Sequence, residues 1–242
     1  QLLVGDHSYS LSPLLAANEL GRGFQAGAAV GPFGLKALYF EDNWWQSGQG
    51  DLGLAAEFSL PGAEDPDQSP YRVGLSMLSS PDGRAAYGLW QRLNPSESLS
   101  LQVDAALQSD GAGDIHPALY AEAAGNPGSV SYRTRFLRAW TGFDANYADT
   151  QSFLLTGGVR LLAEALALRG TYQVSDSNLE LDPGLPTAER QRTMRLGSSL
   201  AAEGWGAHLD LDWENKLQAD RLKPAEYGSV ENRVRLVWKQ EL

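Results

Sequence analysis

The chain contains 242 residues, of which 43% are hydrophobic and 20% charged, and it has no cysteine, so disulfide frameworks and cysteine-ligated zinc sites are excluded. Its 7 Trp, 9 Tyr and 7 Phe are too many for a disordered chain, and no apolar run approaches the ~20 residues of a membrane-spanning helix. The formal net charge of −11 has the wrong sign for general nucleic-acid binding, so we expect no nucleic-acid partner.

Alternation of apolar and polar residues recurs along the whole chain and predicts half-buried β-strands. In the clearest run, every odd-numbered residue from Leu99 to Leu107 is apolar. We expect about fourteen strands, near residues 2–11, 22–30, 33–42, 50–60, 71–79, 84–93, 97–108, 114–124, 129–140, 152–162, 165–175, 190–202, 205–216 and 229–240. Because no change in composition divides the chain, the sequence predicts one all-β domain over residues 1–242.

Short connections predict how neighbouring strands pair. We expect hairpins at the connections near residues 31–32, 126–127, 163–164 and 203–204. In each hairpin, residues of like polarity fall opposite one another. The connection at 163–164 pairs Val159 with Leu168, and a two-residue turn at 203–204 pairs Arg195 with Asp212.

The length of the strands favours a membrane environment. Segments of ten residues, tilted by about 40°, cover about 25 Å of the membrane normal, which is the height of the apolar band of a transmembrane barrel. Strands of soluble proteins usually have only five or six residues. We therefore expect the apolar faces to point toward lipid.

Aromatic residues at the ends of apolar stripes favour the same orientation, because such residues line the two membrane interfaces. Trp205 and Trp213 bracket an aliphatic centre, and Phe33 and Tyr39 bracket another. Together with Trp238, these residues are predicted membrane-interface aromatics.

The opposite faces of the strands carry arginine together with acidic residues. In a confined aqueous lumen, guanidinium groups pair with carboxylates. The predicted lumen-lining residues are Arg72, Arg92, Asp104, Glu122, Arg133, Arg135, Arg160, Arg169, Arg195, Asp210, Asp212, Arg233 and Arg235.

This combination of strand length, aromatic placement and charge resembles bacterial outer-membrane β-barrels of the porin-like type, over essentially the whole chain. The resemblance implies a single antiparallel up-and-down transmembrane β-barrel of about 12–14 strands in the bacterial outer membrane. It also implies outer-membrane lipid and small solutes or ions as partners, with further envelope proteins or a homo-oligomer as additional partners.

The first and last residues of the chain differ from those expected for a complete barrel protein. The chain begins with Gln1 rather than Met, and it ends with Leu242, whereas such barrels commonly end in an aromatic residue. We expect that the barrel is processed or excised from a longer protein, or that it assembles differently.

The sequence predicts a passive pore or a structural envelope barrel rather than an enzyme, without a cofactor or metal. One alternative is a secreted carbohydrate-binding β-sandwich, which would use exposed aromatic residues such as Trp44 and Trp45. A second is an outer-membrane hydrolase, in which Ser199, His208 and Asp210 would form a nucleophile, base and carboxylate. A solvated charge ladder is the simpler interpretation of these polar residues.

The predicted loops raise two further questions. Acidic residues cluster in two of them, and they are Glu64, Asp65, Asp67, Asp176, Glu180 and Asp182. They lack the spacing of a calcium loop, so we expect solvated loops rather than cation sites. The long connections near 42–50 and 61–70 follow each other, so either a strand is missed there or one loop folds inward.

Overall fold

The computed structural model describes residues 2–15, 19–41, 50–60, 69–143, 149–162, 165–202, 207–223 and 228–240, apart from the side chains of three of them, His7, Glu19 and Ala202. The described residues form fourteen strands. These are β1 (Leu2–Tyr9), β2 (Glu19–Val30), β3 (Phe33–Glu41), β4 (Asp51–Ser59), β5 (Tyr71–Ser79), β6 (Ala85–Ser96), β7 (Leu99–Ser109), β8 (Ile115–Gly125), β9 (Val130–Ala139), β10 (Thr150–Leu161), β11 (Leu166–Ser177), β12 (Glu189–Ala202), β13 (Ala207–Asp220) and β14 (Gly228–Gln240).

The fourteen strands follow one another in a single sheet, in the order β1 to β14. This confirms the predicted all-β, up-and-down arrangement. The ends of the strands differ from the predicted segments by at most four residues, and the largest difference is at the end of β13. A sandwich of two packed sheets, the alternative from the sequence, does not match this single sheet.

No helix that is long and apolar enough to cross a membrane occurs in the part of the chain that the structure describes.

The chain divides into two compact units. Unit 1 comprises Gln1–Ala121 and Leu137–Asp149, and unit 2 comprises Glu122–Phe136 and Thr150–Leu242. Each unit is described in turn.

The strands of unit 1 have one buried face and one exposed apolar face. On β3, Leu38 and Phe40 are buried on the inner face, whereas Phe33 and Leu35 are 60% and 64% exposed on the outer face. The buried hydrophobic side chains form one cluster, comprising Tyr9, Leu14, Leu15, Leu38, Phe40, Leu78, Ala86, Ala106, Ala118, Tyr120, Leu137, Ala139 and Phe143. The inner face of unit 1 is therefore a packed core.

Two members of this cluster, Leu14 and Leu15, come from the connection between β1 and β2 and not from a strand. We call residues 10–15 the inner segment. Both leucines are fully buried. An inward-folded connection was one of the two explanations that the sequence left open. Among the described residues it is found in the first connection, and residues 42–49 and 61–68 lie outside them.

The connections 42–50 and 60–70 lie at opposite ends of the sheet. Strand β4 runs between the connections 42–50 and 60–70 and pairs antiparallel with β3 on one side and with β5 on the other. At the end where β1 finishes, the connections have five or more residues, whereas those at the other end are short apart from 60–70. The alternation of long and short connections thus has one exception in this unit.

Unit 2 carries apolar side chains on one face of its sheet and polar side chains on the other. Leu196, Leu236 and Trp238 on the apolar face are 49%, 66% and 59% exposed. Soluble monomers rarely expose contiguous apolar patches larger than a few hundred Å². The apolar face therefore requires a covering other than water.

The predicted pairing of β10 with β11 is confirmed, since Val159 lies opposite Leu168. The predicted pairing of β12 with β13 is wrong by two residues. Arg195 lies opposite Glu214 rather than Asp212. The pairing ends at Ala202 and Ala207, which leaves four residues in the connection rather than a two-residue turn. A shift of two residues keeps every side chain on its face, so polarity alone could not detect it.

Candidate functional site

Four arginines lie close together on the polar face of β11 to β14. We call Arg169, Arg195, Arg233 and Arg235 the arginine cluster. The strand register places Arg169, Gly197, Asp212 and Arg235 in one row across the sheet, and Thr171, Arg195, Glu214 and Arg233 in the next. These two rows line an open cavity of about 480 Å³. The cluster is therefore built by four neighbouring strands and not by a loop.

Carboxylates hold most of the cluster in place. Arg169 Nη2 lies 2.6 Å from Asp212 Oδ1, and Arg195 Nη2 lies 2.8 Å from Glu214 Oε1. Arg233 Nε lies 2.7 Å from Glu231 Oε1. The described residues show no ion pair for Arg235. Since four arginines but only two acidic residues, Asp212 and Glu214, line the cavity, its lining carries an excess of positive charge.

The Arg169–Asp212 ion pair spans the strand between its two partners. Arg169 lies on β11 and Asp212 on β13, and both lie beside Gly197 of β12. A Cβ added at Gly197 would lie 2.5 Å from Arg169 Nε and 2.7 Å from Asp212 Oδ1. The absence of a side chain at residue 197 therefore leaves room for the ion pair.

Replacing Gly197 with valine is expected to break this ion pair, because the added side chain would occupy the space that Arg169 crosses. We expect the free energy of unfolding to fall by about 1–3 kcal/mol, the usual cost of forcing extra atoms into a filled site. Denaturant unfolding in detergent micelles would measure the change. In an Arg169→Ala background the same substitution should cost much less, and an equal cost in both backgrounds would contradict the assignment.

The other predicted lumen-lining residues of unit 2 also lie on its polar face. Arg160 lies opposite Ala167, in the row that contains Ser199 and Asp210. Glu122 contacts two arginines, since its Oε2 lies 2.9 Å from Arg133 Nη2 and 3.9 Å from Arg135 Nε. Residues that were predicted separately thus form ion pairs.

In unit 1 the predicted lumen residues are more enclosed. Arg72 lies directly opposite Arg92. The Arg72 guanidinium is stabilised by Glu57 Oε2 at 2.9 Å and lies over the Trp90 ring, 5.4 Å from its centroid. Arg92 Nε donates to Ser100 Oγ at 3.3 Å.

Asp104 departs from the prediction most clearly. It lies on the inner face of β7, but it is fully buried and does not line an open interior. The inner segment covers it, with Ser12 and the Leu14 amide beside its carboxylate.

The predicted interface aromatics occupy different positions. Phe33 lies at the first residue of β3 and packs against Phe58 at 5.4 Å between ring centroids. Tyr39 stacks on Phe24, and Trp238 lies near the end of β14. Trp213 lies at the middle of β13 instead of its end, because that strand continues to Asp220. Trp205 lies outside the described residues.

The three residues of the hydrolase hypothesis do come together. Ser199 Oγ lies 3.2 Å from His208 Nε2, and Asp210 Oδ2 lies 3.1 Å from the same nitrogen. In a serine hydrolase, the nucleophile and the carboxylate contact opposite nitrogens of the imidazole ring. The observed geometry therefore gives no support to that hypothesis. Ser199 lies opposite Asp210, whereas the predicted two-residue turn at 203–204 would place it opposite His208.

The acidic loop residues have other partners. Asp176 forms an ion pair with Arg190 at 2.7 Å, and Asp182 Oδ1 accepts a hydrogen bond from the Gly184 amide at 2.8 Å. Among the described residues, no group of His, Asp and Glu side chains is suitably placed to hold a metal ion. Five of the predicted loop residues lie outside the described residues, and they are Trp44, Trp45, Glu64, Asp65 and Asp67.

Three features of the site were not among the predicted residues. Glu214 follows Asp212 and Glu231 precedes Arg233 on alternating polar faces, so their place on these faces could be found from the pattern. The space left at Gly197 depends on the register of three strands and leaves no local signal. The inner segment had one signal, since Leu14 and Leu15 are adjacent leucines in a predicted connection.

No protein-family model matches the chain. No curated protein matches it either.

Solved structures of outer-membrane proteins share the fold of this chain. It is similar to Pseudomonas aeruginosa OccK2 (OpdF) in complex with glucuronate, with 16% identity, a TM-score of 0.61, and coverage of 100% of this chain and 78% of that one. It is also similar to the outer membrane protein OpdK of P. aeruginosa, with 14% identity, a TM-score of 0.58, and coverage of 97% and 75%. A structure of OpdK with vanillate matches at 14% identity and a TM-score of 0.56, covering 98% of this chain and 74% of that one. The porin-like outer-membrane architecture inferred from the sequence is thereby confirmed at the level of the fold.

Proposed function

We propose that residues 1–242 form a single closed β-barrel of the bacterial outer membrane and that this barrel is a pore for small anionic solutes. The observation that carries the proposal is the arginine cluster. Four arginines and two acidic residues on one polar face line a cavity of about 480 Å³. A net positive wall in a water-filled passage raises the local concentration of anions.

The outer apolar side chains support the membrane location. In unit 1 the exposed Phe33 and Leu35, and in unit 2 the exposed Leu196 and Leu236, lie on faces opposite to the polar or packed ones. Lipid covers such faces without cost, whereas water does not. A membrane location also requires that the sheet be closed. An open strand edge in hydrocarbon would leave backbone N–H and C=O groups without hydrogen bonds.

The similar structures favour carboxylates as the solutes. OccK2 was solved in complex with glucuronate and OpdK with vanillate. Carboxylates are also the anions that arginine recognises best, through two parallel hydrogen bonds. Arg235, with no ion pair among the described residues, is the guanidinium most available to such a solute.

Planar-bilayer recordings test the proposal. With a KCl gradient across the bilayer, we expect a reversal potential displaced toward the chloride equilibrium potential, and glucuronate should reduce the chloride current. A reversal potential on the potassium side would overturn the anion preference. A protein that inserts into the bilayer but carries no current would be a structural envelope barrel, and one that stays monodisperse without detergent would not be a membrane protein.

A further inference from the structure

The apolar face of unit 2 carries charged side chains at one end only. The strand register places every second residue of β10 to β14 on this face, and the charged ones among these described residues are Asp176, Arg190 and Arg192. All three lie at the end of the sheet where the long connections 178–188 and 221–227 are found. Long connections are extracellular in outer-membrane barrels. Under the proposed function, these charges therefore belong to the extracellular interface of the membrane.

The three charges leave an excess of positive charge on this face. Asp176 holds Arg190 with both carboxylate oxygens, which lie 2.7 Å from its Nε and 3.1 Å from its Nη2. Arg192 is exposed and lies in an apolar row, between Val174 and Leu217. Among the described residues, no ion pair or side-chain hydrogen bond engages Arg192. Two guanidinium groups thus face a single carboxylate.

The depth of the two arginines matches a lipid headgroup. Leu200 lies near the opposite end of β12, in the row that contains the exposed Trp238. Arg192 and Arg190 precede Leu200 by eight and ten residues. At about 3.3 Å per residue and a tilt of about 40°, they lie about 20 and 25 Å from that row along the membrane normal. Since the apolar band is about 25 Å tall, both guanidinium groups lie at its edge.

Two carboxamides lie beside Arg192 on the same face. Asn215 lies opposite Met194 on one side and opposite Asn232 on the other. Its Nδ2 donates a hydrogen bond to Asn232 Oδ1 at 2.9 Å. A carboxamide has two N–H donors and an acceptor oxygen, so this one bond leaves further donors and acceptors on the pair. Hydroxyl groups of a sugar are suitable partners for them.

We infer that this outer polar patch, defined as Arg190, Arg192, Asn215 and Asn232, binds the headgroup of a phosphorylated glycolipid. A phosphate group complements the excess positive charge and accepts paired hydrogen bonds from a guanidinium. The exposed Val230 and Val234 lie on the same face and offer apolar surface to the acyl chains. The inference rests on the membrane location in the proposed function, but not on the conduction of solutes.

Native mass spectrometry of the protein in a non-ionic detergent, with diphosphoryl lipid A added, tests the patch. We expect Arg190→Gln/Arg192→Gln to bind this lipid at least tenfold more weakly than the original protein, because arginines near a membrane surface attract anionic lipid. Arg192→Gln alone leaves the Arg190–Asp176 ion pair in place and should also weaken binding. Arg192→Lys keeps the charge and should weaken it less. Far-UV circular dichroism checks that each variant is folded.

The matched control is Arg233→Gln/Arg235→Gln, which removes the same charge from the polar face of the same unit. Its affinity for lipid A should stay within twofold of the original. An equal loss in both double variants, or no loss in either, would overturn the patch. Excess inorganic phosphate should leave the lipid bound, and its complete displacement by phosphate would show a site for free anions and overturn the lipid assignment.

The outcomes separate the two proposals. Arg190→Gln/Arg192→Gln should leave the reversal potential of the pore unchanged, since both side chains lie on the face opposite to the arginine cluster. A current together with lipid binding that is insensitive to these two residues overturns the patch and leaves the pore. Binding of lipid A through the patch without any current overturns the pore and leaves the patch.

Discussion

The variant Arg233→Gln/Arg235→Gln is expected to lose most of the anion preference of the pore. Both residues lie on β14, and their replacement leaves the Arg169–Asp212 and Arg195–Glu214 ion pairs in place. A unit charge about 8 Å from a solute in water contributes roughly 0.5 kcal/mol. Two charges therefore change the local anion concentration about fivefold, and the reversal potential in a KCl gradient measures this change.

The matched variant Asp212→Asn/Glu214→Gln should shift the reversal potential in the opposite direction, because it removes two negative charges from the same two rows. The two variants change the net charge of the cavity lining by the same amount and in opposite directions. If both move the reversal potential in the same direction, or neither moves it, the arginine cluster does not control the passage of ions.

The variant Leu196→Arg should have a free energy of unfolding in lipid that is lower by about 2–4 kcal/mol. This is the cost of placing an arginine side chain on the lipid face near the bilayer centre. Leu196 lies at the middle of the apolar face of β12, opposite Trp213. Denaturant unfolding in lipid vesicles measures the loss.

The control for this prediction is Gln173→Arg on β11. Gln173 lies on the polar face, between the uncharged residues Leu154 and Thr193. We expect its replacement to leave the free energy of unfolding within about 0.5 kcal/mol of the original value. Equal costs for Leu196→Arg and Gln173→Arg would mean that the apolar face is not the one in contact with lipid.

The strands could be predicted from the sequence because the alternation of polarity is local and long. In β7 the alternation from Leu99 to Leu107 extends over most of the strand, which begins two residues after the start of the predicted segment 97–108. Boundaries were less certain where the pattern continues into a connection. The end of β13 was placed four residues too early, and Trp213, which was predicted to bracket an aliphatic centre with Trp205, lies at the middle of the strand.

The polar residues of β12 and β13 share one face of the sheet, as their alternation predicts, but their predicted partners were wrong. Arg195 was paired with Asp212, whereas it binds Glu214. Alternation has a period of two, so it distinguishes odd shifts of register from even ones and cannot distinguish even shifts from one another. Registers that differ by two residues are distinguished only by the length of the connection between the strands, and the polarity pattern does not determine this length.

The burial of Asp104 could not be predicted from its own strand. The alternation around residue 104 is the same as in strands with an aqueous face, and the residues that cover it, Ser12 and Leu14, are about ninety positions earlier in the chain. Contacts at such sequence separation leave no periodic signal. The inner segment therefore changes the character of the inner face without changing its pattern.

The missing side chain at Gly197 has a consequence for how the strands select their alignment. If β12 slid along β13 by two residues, all apolar groups would stay on the same side, but Arg195 would take the position beside Asp212 that Gly197 holds. Its bulk would then block the reach of Arg169 from β11. The space at Gly197 therefore favours the observed register over a register shifted by two residues, although both place the same residues on the apolar face. In this way one glycine helps to set the alignment of three strands.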